Sequence, residues 1–139
     1  PIRSSAASDV YKRQVYNLWR RFDEDGMDAP FALCDSRTVS EKELIPTDLF
    51  NYGKEEEKTE TLADENGFTV EIYQSMNSDN HKWYFYPKMN RDEVVMFKTY
   101  DSNENPFMPT LHSAFDDLSC DSKVSPRESI EVRAICLFD

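Results

Sequence analysis

The stretch Pro126–Phe138, with the sequence PRESIEVRAICLF, is the part of the chain that decides the fold. Its apolar residues recur at every second position, a period that is typical of a β-strand. Four polar side chains share one face, at Arg127, Ser129, Glu131 and Arg133. From Ala134 onward both faces are apolar, which predicts a central strand over residues 128–138, covered on both sides.

Two arginines on one face of a covered strand need anionic partners, because an unpaired buried charge is costly. Glu131 neutralises one of them, and the other is then free to hold the carboxylate of a ligand in a bidentate pair. The alternative is an internal ion-pair ladder, with Arg133 on Glu131 and Arg127 on an acidic loop residue. Taken by themselves, the residues favour the ladder, which would suit a non-catalytic β-barrel binding domain.

The rest of the chain also favours an all-β fold. It contains only three glycines and is 13% aromatic. Short β-type runs separated by polar turns indicate a sandwich or jelly roll. The expected hairpin joins residues 67–75 to residues 82–86, with the aromatic side chains of Trp83, Tyr84 and Tyr86 in the core. The acidic segment 54–66 is expected to be a mobile surface loop. The other predicted strands cover residues 15–22, 31–34, 94–100 and 107–115.

The first fourteen residues, Pro1–Gln14, do not resemble the remainder. They read like translated sequencing-adapter DNA, so we expect residues 1–14 to be a non-native segment and residues 15–139 to carry the fold. The chain does not begin with Met. We therefore expect its true start to be missing.

Charge and cysteine content narrow the classes of function. The formal net charge is −11, and it becomes −13 without the +2 of Pro1–Gln14. Such an acidic chain repels phosphate backbones, so nucleic acid is not an expected partner. No apolar run approaches the ~20 residues that span a bilayer, so no membrane is expected either. The odd number of cysteines, at Cys34, Cys120 and Cys136, indicates reduced thiols in a cytoplasmic protein.

Residues that carry chemistry are few. The two histidines are His81 and His112, and neither belongs to an H-x-D or H-x-E pair. A lone histidine is more often a satisfied polar residue than a metal ligand. A pair of His112 with Asp116 would need a helix that the sequence does not favour. No G-x-S-x-G elbow or glycine-rich phosphate loop is present, so no catalytic nucleophile is predicted.

Five segments, taken together, resemble a known family. They are residues 17–20 (NLWR), 33–37 (LCDSR), 81–87 (HKWYFYP) and 92–102 (DEVVMFKTYDS), then His112–Phe115 leading to residues 126–133 (PRESIEVR). In this order they resemble the hydroxylase/desaturase family that includes gibberellin-desaturase-like proteins and relatives of the cephamycin methoxylation subunit. The resemblance implies the C-terminal portion of a double-stranded β-helix, a cupin-like jelly-roll barrel. It also implies an Fe(II)/2-oxoglutarate-dependent dioxygenase of secondary metabolism that hydroxylates or desaturates a small organic substrate with O₂.

The same resemblance suggests roles for individual residues. His112 matches the distal iron-binding histidine, and Arg127 with Ser129 matches the R-x-S element that holds the far carboxylate of 2-oxoglutarate. Asn17, Trp19 and Arg20 are the candidate substrate-binding residues.

Two departures from the family pattern qualify this assignment. The His-x-Asp iron ligands would precede Val15, and the chain has no such pair, so we expect an inactive fragment. The spacing from His112 to Arg127 is long, which leaves Arg133 as an alternative anchor to the favoured Arg127.

Overall fold

The computed structural model describes residues 12–22, 28–52, 68–120 and 126–138. Within these ranges the secondary structure is almost entirely β, as predicted, and it includes two short 3-10 helices. The chain divides into two compact units, of which one contains residues 40–78 and the other residues 4–39 and 79–139. The strands are β1 (Lys12–Arg21), β2 (Phe31–Cys34), β3 (Leu44–Tyr52), β4 (Phe68–Ser75), β5 (Trp83–Phe85), β6 (Val95–Asp101), β7 (His112–Ala114) and β8 (Ser129–Phe138).

The larger unit contains two three-stranded sheets. In the first sheet the strand order is β6-β1-β8, so β1 is central and antiparallel to both neighbours. In the second sheet the order is β5-β2-β7, again antiparallel. The smaller unit contains β3 paired with β4.

Strand β1 begins earlier than the sequence suggested. Lys12, Arg13 and Gln14 belong to the segment that was set apart as non-native, yet they pair with Phe138, Leu137 and Cys136 of β8. β1 pairing therefore extends three residues before Val15, and the origin of residues 1–14 stays a prediction. The ladder continues because backbone N–H and C=O groups pair whatever the side chains are.

Strand β8 is an edge strand of its sheet, so the prediction of a central, doubly covered strand is wrong. Ile135 and Leu137 are 60% and 67% exposed, and Ile130 and Val132 on the other face are also exposed. A sequence that is apolar on both faces of a strand does not reveal whether a neighbouring element covers those faces. The bounds of β8 and β6, in contrast, agree with their predictions to within one residue.

The predicted hairpin is also wrong. β4 pairs with β3, and β5 pairs with β2 instead of β4. The turn residues between β4 and β5 favour a local hairpin, but the sequence pattern could not show that β3 exists, because Pro46 and polar residues interrupt it.

Trp83, Tyr84 and Tyr86 are exposed, so their predicted place in the core is wrong. The segment predicted as a mobile loop, residues 54–66, lies outside the described residues.

The buried core of the larger unit lies between its two sheets. The ring of Trp19 on β1 stacks on Phe31 of β2, with 4.4 Å between centroids and an 8° interplanar angle. Met89, Val95 and Phe97 complete this core cluster. A stack of this kind adds favourable ring contact to the burial of two large apolar surfaces, and it fixes the side of the first sheet that faces the second.

No disulfide links the three cysteines, all of which lie in the described ranges. No helix in those ranges has the length and apolar character required to cross a membrane.

A polar cluster at Asp101 ties together the start of β1 and the end of β6. Asp101 is only 3% exposed. Its carboxylate accepts hydrogen bonds from Gln14 Nε2 at 2.5 Å, Lys98 Nζ at 2.7 Å and the Asn103 backbone N–H at 3.0 Å. Hydrogen bonds from Lys98, Gln14 and Asn103 hold the pKa of Asp101 well below its usual range. All three donors favour the charged form, so the cluster stabilises the fold only while Asp101 is ionised.

We expect the contribution of Asp101 to stability to disappear in acid. A carboxyl group whose pKa is lower in the folded state stabilises the fold above its unfolded pKa of ~3.9, and it loses that contribution as pH falls through the folded value. Asp101→Asn should therefore be less stable than the wild type at pH 7, and the difference should narrow below about pH 4. Urea denaturation at a series of pH values measures this. Asp48→Asn, at an exposed position of β3, is the control, and an equal pH response in both variants would contradict the prediction.

Candidate active site

The candidate site lies on one side of the first sheet, which we call the inner face. It carries Asn17, Trp19 and Arg21 of β1, because alternate residues of a strand point to the same side. Residues directly opposite one another in the ladder also share a face. Asn17 lies opposite Phe97 and Arg133, Trp19 lies opposite Val95 and Glu131, and Arg21 lies opposite Ser129.

The inner face meets His112 of the second sheet through aromatic contacts. The His112 ring centroid is 4.7 Å from that of Phe97 and 5.9 Å from that of Phe31. Phe31 in turn stacks on Trp19. His112 and Trp19, which are 93 positions apart in the sequence, are therefore connected by a single intervening ring.

The imidazole of His112 is oriented in a way that suits a metal ligand. Strand β7 pairs with β2, with His112 opposite Leu33. The Nδ1 atom is 3.1 Å from the Thr110 carbonyl oxygen. Since a carbonyl only accepts, this contact requires a proton on Nδ1 and leaves the Nε2 lone pair available. An Nδ1–H held by a carbonyl, with Nε2 left to bind, is the arrangement common to metal-binding histidines.

Arg127 lies just before β8, and its guanidinium is held over the core. Its Cζ atom is 5.2 Å from the centroid of the Trp19 ring, a favourable cation–π distance. Its Nη1 donates to the Ala29 carbonyl at 2.5 Å, and its backbone N–H donates to Asp28 Oδ1 at 3.0 Å. Its Nε is buried and has no hydrogen-bond partner among the described residues.

A buried donor without an acceptor is costly, so Arg127 is a group whose hydrogen-bonding capacity the described residues leave unused. The Nε atoms of Arg13 and Arg20 are also buried and without partners. Among these three, Arg127 is the one whose guanidinium lies over Trp19, next to the ring that contacts His112.

Ser129 begins β8 and lies opposite Arg21. The Phe22 N–H donates to the Glu128 carbonyl at 2.9 Å, so pairing with the β1 side continues one residue before β8. Strand alternation then places Arg127 and Ser129 on the same side of the chain. Ser129 is exposed, which leaves its hydroxyl accessible beside Arg127.

The ion-pair ladder that the residues alone favoured is not formed among the described residues. Arg133 Nε donates to Asn17 Oδ1 at 3.1 Å, and Asn17 Nδ2 donates to Glu131 Oε1. The Asn17 amide thus lies between the two charged groups that were expected to pair directly. Asp28 accepts from the main chain of Arg127 and not from its guanidinium.

The three candidate substrate-binding residues do not lie together. Asn17 and Trp19 are on the inner face and are 0% and 3% exposed. Arg20 points to the opposite face, because it neighbours Trp19 in the strand, and its Cζ lies 5.4 Å from the ring centroid of Phe22. The inner face therefore carries Asn17, Trp19 and Ser129, with the Arg127 guanidinium over Trp19, and it excludes Arg20. His112 of the second sheet contacts this face through Phe97.

The residues fit one ligand position of a metal centre and not a complete centre. Among the described residues, no group of three or more His, Cys, Asp or Glu side chains could hold a metal ion. An iron site of the two-histidine, one-carboxylate type needs three protein ligands. His112 offers one suitable nitrogen, so no reaction step can be derived through a metal from these residues alone.

Sequence reasoning missed the partners that position these groups. Phe31 and Phe97 were recognised only as strand residues, although both contact the His112 ring. One available signal was the polar Asn17 between the apolar Val15 and Trp19 on a single strand face, because burying an amide is unfavourable unless its hydrogen bonds are satisfied. The partners themselves depend on the β1–β8 register, which the sequence does not reveal.

Comparisons with known proteins identify the family of the chain. Residues 3–137 match the family model described as "Oxidoreductase/YMDC permease-like domain". The chain is 30% identical over 122 residues to the Fe(II)/2-oxoglutarate-dependent dioxygenase nvfI of Aspergillus novofumigatus, a match covering 88% of this chain and 40% of that protein. It is 29% identical over 128 residues to the hydroxylase/desaturase asaB of Aspergillus flavus, covering 90% of this chain and 55% of that protein.

Solved structures give the same result. The iron and alpha-ketoglutarate-dependent endoperoxidase NvfI superposes with a TM-score of 0.72 at 29% identity, covering 94% of this chain and 42% of that one. The fold is therefore that of part of a cupin-like β-sandwich, as the resemblance implied. The chain spans about half the length, or less, of these relatives. It belongs to the oxidoreductase/YMDC permease-like domain family, and its relatives include hydroxylase/desaturases and Fe(II)/2-oxoglutarate-dependent dioxygenases.

Proposed function

We propose that this chain is part of an Fe(II)/2-oxoglutarate-dependent oxygenase that hydroxylates or desaturates a small organic molecule. The observation that carries the proposal is the guanidinium of Arg127. It lies over the Trp19 ring, and its buried Nε has no hydrogen-bond partner in the described part of the chain. Trp19 stacks on Phe31, whose ring contacts that of His112. Such an enzyme requires a carboxylate anchor on one sheet face and a metal-binding imidazole in contact with that face.

In this proposal each residue has a defined task. Arg127 binds the distal carboxylate of 2-oxoglutarate, and its charge and planar fork suit a two-oxygen acceptor. The Ser129 hydroxyl donates a further hydrogen bond to the same carboxylate. The Trp19 face holds the guanidinium in place and excludes water from one side of it. His112 presents Nε2 to iron, and iron with 2-oxoglutarate and O₂ supplies the oxidising power.

The remaining two iron ligands are proposed to come from a His-x-Asp pair that belongs before the Val15 position in the complete protein. The whole protein is proposed to be cytoplasmic and to act on a small molecule of secondary metabolism, in keeping with the fungal relatives. Neither nucleic acid nor a membrane is a proposed partner, since the chain has a net charge of −11.

A second candidate is a non-catalytic β-barrel binding domain. It is favoured by the finding that the described residues contain no group of three metal-ligating side chains. The genuine gene sequence before Val15 separates the two candidates, because a binding domain would have no His-x-Asp or His-x-Glu pair there.

The proposal is tested with the gene restored at its 5′ side. We expect the protein to form succinate from 2-oxoglutarate when Fe(II) and O₂ are supplied, even without its organic substrate. Arg127→Ala should raise the KM or Kd for 2-oxoglutarate by about 30- to 5,000-fold, because truncating one partner of a buried charge pair costs about 2–5 kcal/mol. Succinate formation and calorimetric titration of 2-oxoglutarate measure the two effects.

Arg37→Ala is the matched control, because this arginine is exposed and pairs with Asp35 away from the inner face. It should leave 2-oxoglutarate binding unchanged. A restored protein that contains iron but does not decarboxylate 2-oxoglutarate would contradict the proposed function. An Arg127→Ala variant that binds 2-oxoglutarate as well as the wild type would contradict the proposed anchor.

A further inference from the structure

We propose that Arg133 is a second carboxylate-binding group on the inner face, that Asn17 positions it, and that its ligand is a carboxylate of the organic substrate. The inference rests on the proposed function, in which Arg127 already holds 2-oxoglutarate. It names a substrate class, namely small molecules that carry an acidic group.

Asn17 is the residue that orients the Arg133 side chain. This residue is 0% exposed in the middle of the central strand. Its Oδ1 accepts from Arg133 Nε at 3.1 Å and from Thr99 Oγ1 at 3.5 Å, while its Nδ2 donates to Glu131. The amide thereby connects all three strands of the sheet. A buried amide with every strand as a partner fixes the direction of the Arg133 side chain, and it does not itself contact a ligand.

Arg133 keeps two terminal guanidinium nitrogens for a ligand. Its Nε is bonded to Asn17, so the two terminal nitrogens are left as an end-on fork. No described residue accepts a hydrogen bond from that fork, and no described carboxylate lies within salt-bridge distance of it. Glu131, the nearest acid along the strand, is bonded to the Asn17 amide. Arg133 is exposed, so a ligand can reach it.

Arg133 lies in the same cross-strand row as a residue that contacts the proposed iron ligand. Phe97, Asn17 and Arg133 lie opposite one another across β6, β1 and β8. Phe97 contacts the His112 ring. Arg133 is thus two strands, or about 10 Å, from the strand residue that touches the proposed iron ligand. A small molecule held at Arg133 would therefore lie at the exposed end of this row, on the sheet face that contacts His112.

The charge of the chain affects how an anionic ligand binds at Arg133. The chain as a whole carries a net charge of −11 and repels anions at long range. An oriented guanidinium without an ion-pair partner is the local feature able to overcome this repulsion for a carboxylate that fits it. Orientation lowers the entropic cost of binding, because the side chain is already held in the bound direction.

The test uses the 139-residue chain labelled with ¹⁵N at arginine Nε. Benzoate is the carboxylate probe, and neutral benzamide, which has the same shape, is its control. We expect benzoate to shift the Arg133 Nε–Hε signal in a saturable way and benzamide to leave it in place. Arg133→Gln should weaken benzoate binding by at least about tenfold, since a charge-assisted hydrogen bond contributes more than that factor.

A separate measurement tests whether Asn17 positions Arg133. In Asn17→Ala the Arg133 Nε–Hε signal should move to the position of a solvent-averaged arginine, and benzoate should bind more weakly. If that variant does not fold, Arg133→Lys keeps the charge and removes the fork, and it should also bind benzoate more weakly. Equal shifts with benzoate and benzamide, or equal benzoate affinity in Arg133→Lys, would overturn the inference.

Addition of 2-oxoglutarate separates this inference from the proposed function. If 2-oxoglutarate shifts Arg127 while benzoate leaves Arg133 unmoved, the inference fails and the proposed function stands. If benzoate shifts Arg133 while 2-oxoglutarate leaves Arg127 unmoved, the proposed anchor fails and the second carboxylate site stands. If 2-oxoglutarate shifts Arg133 instead of Arg127, Arg133 is the co-substrate anchor and the inference is overturned.

Discussion

Replacing Trp19 with alanine is expected to lower the free energy of unfolding by about 3–5 kcal/mol, the range found when a large aromatic core residue is truncated. Trp19 is 3% exposed, stacks on Phe31 and lies beneath the Arg127 guanidinium. Its removal opens a cavity between the two sheets and leaves Arg127 without the ring that supports it. This loss is comparable to the whole stability of many small domains.

Urea denaturation followed by far-UV circular dichroism measures the effect. Trp83→Ala is the matched control, because it removes the same side chain from a position that is 44% exposed. Its expected cost is well under that of Trp19→Ala, since nearly half of its surface already contacts water. Similar losses in the two variants would show that Trp19 is not the centre of the core.

Replacing His112 with alanine is expected to lower the iron affinity of the restored full-length protein by more than about 100-fold. Changes to groups that merely orient a metal ligand already cost 10–100-fold, and removal of the ligand itself costs more. Turnover of 2-oxoglutarate should be lost with the metal. Iron content after dialysis against a calibrated chelator, together with succinate formation, measures both consequences.

The other histidine of the chain provides the control. His81 precedes β5 and lies outside the inner face, so His81→Ala should retain iron and activity. His112→Ala could also disturb the packing of Phe97 and Phe31, and thermal unfolding of the metal-free protein reports that separately. A His112→Ala variant that keeps its iron would remove this residue from the proposed metal site.

The sequence predicted individual strands better than their pairing. β6 and β8 were found to within one residue because alternation and β-branched residues are local signals. The pairing of β5 with β2 joins residues about 50 positions apart, and nothing in either segment specifies that partner. The exposure of β8 escaped prediction for a related reason, since coverage depends on the rest of the sheet and not on the strand.

The site was predicted through a resemblance and not from residue chemistry. Composition alone favoured a ladder between Arg133 and Glu131, whereas the structure places the Asn17 amide between them. Asn17 was nominated as a substrate contact, although it is fully buried. The roles of His112, Arg127 and Ser129 remain predictions. The geometry supports them because Arg127 and Ser129 lie on the inner face, and His112 contacts that face through Phe97.

Phe31 has a consequence for any binding measurement on this protein. Its ring contacts both Trp19, which supports Arg127, and His112. The two proposed binding events therefore share one rigid support, and a shift of that ring acts on both at once. If both proposed ligands shift that ring, each would alter the affinity for the other by the same factor.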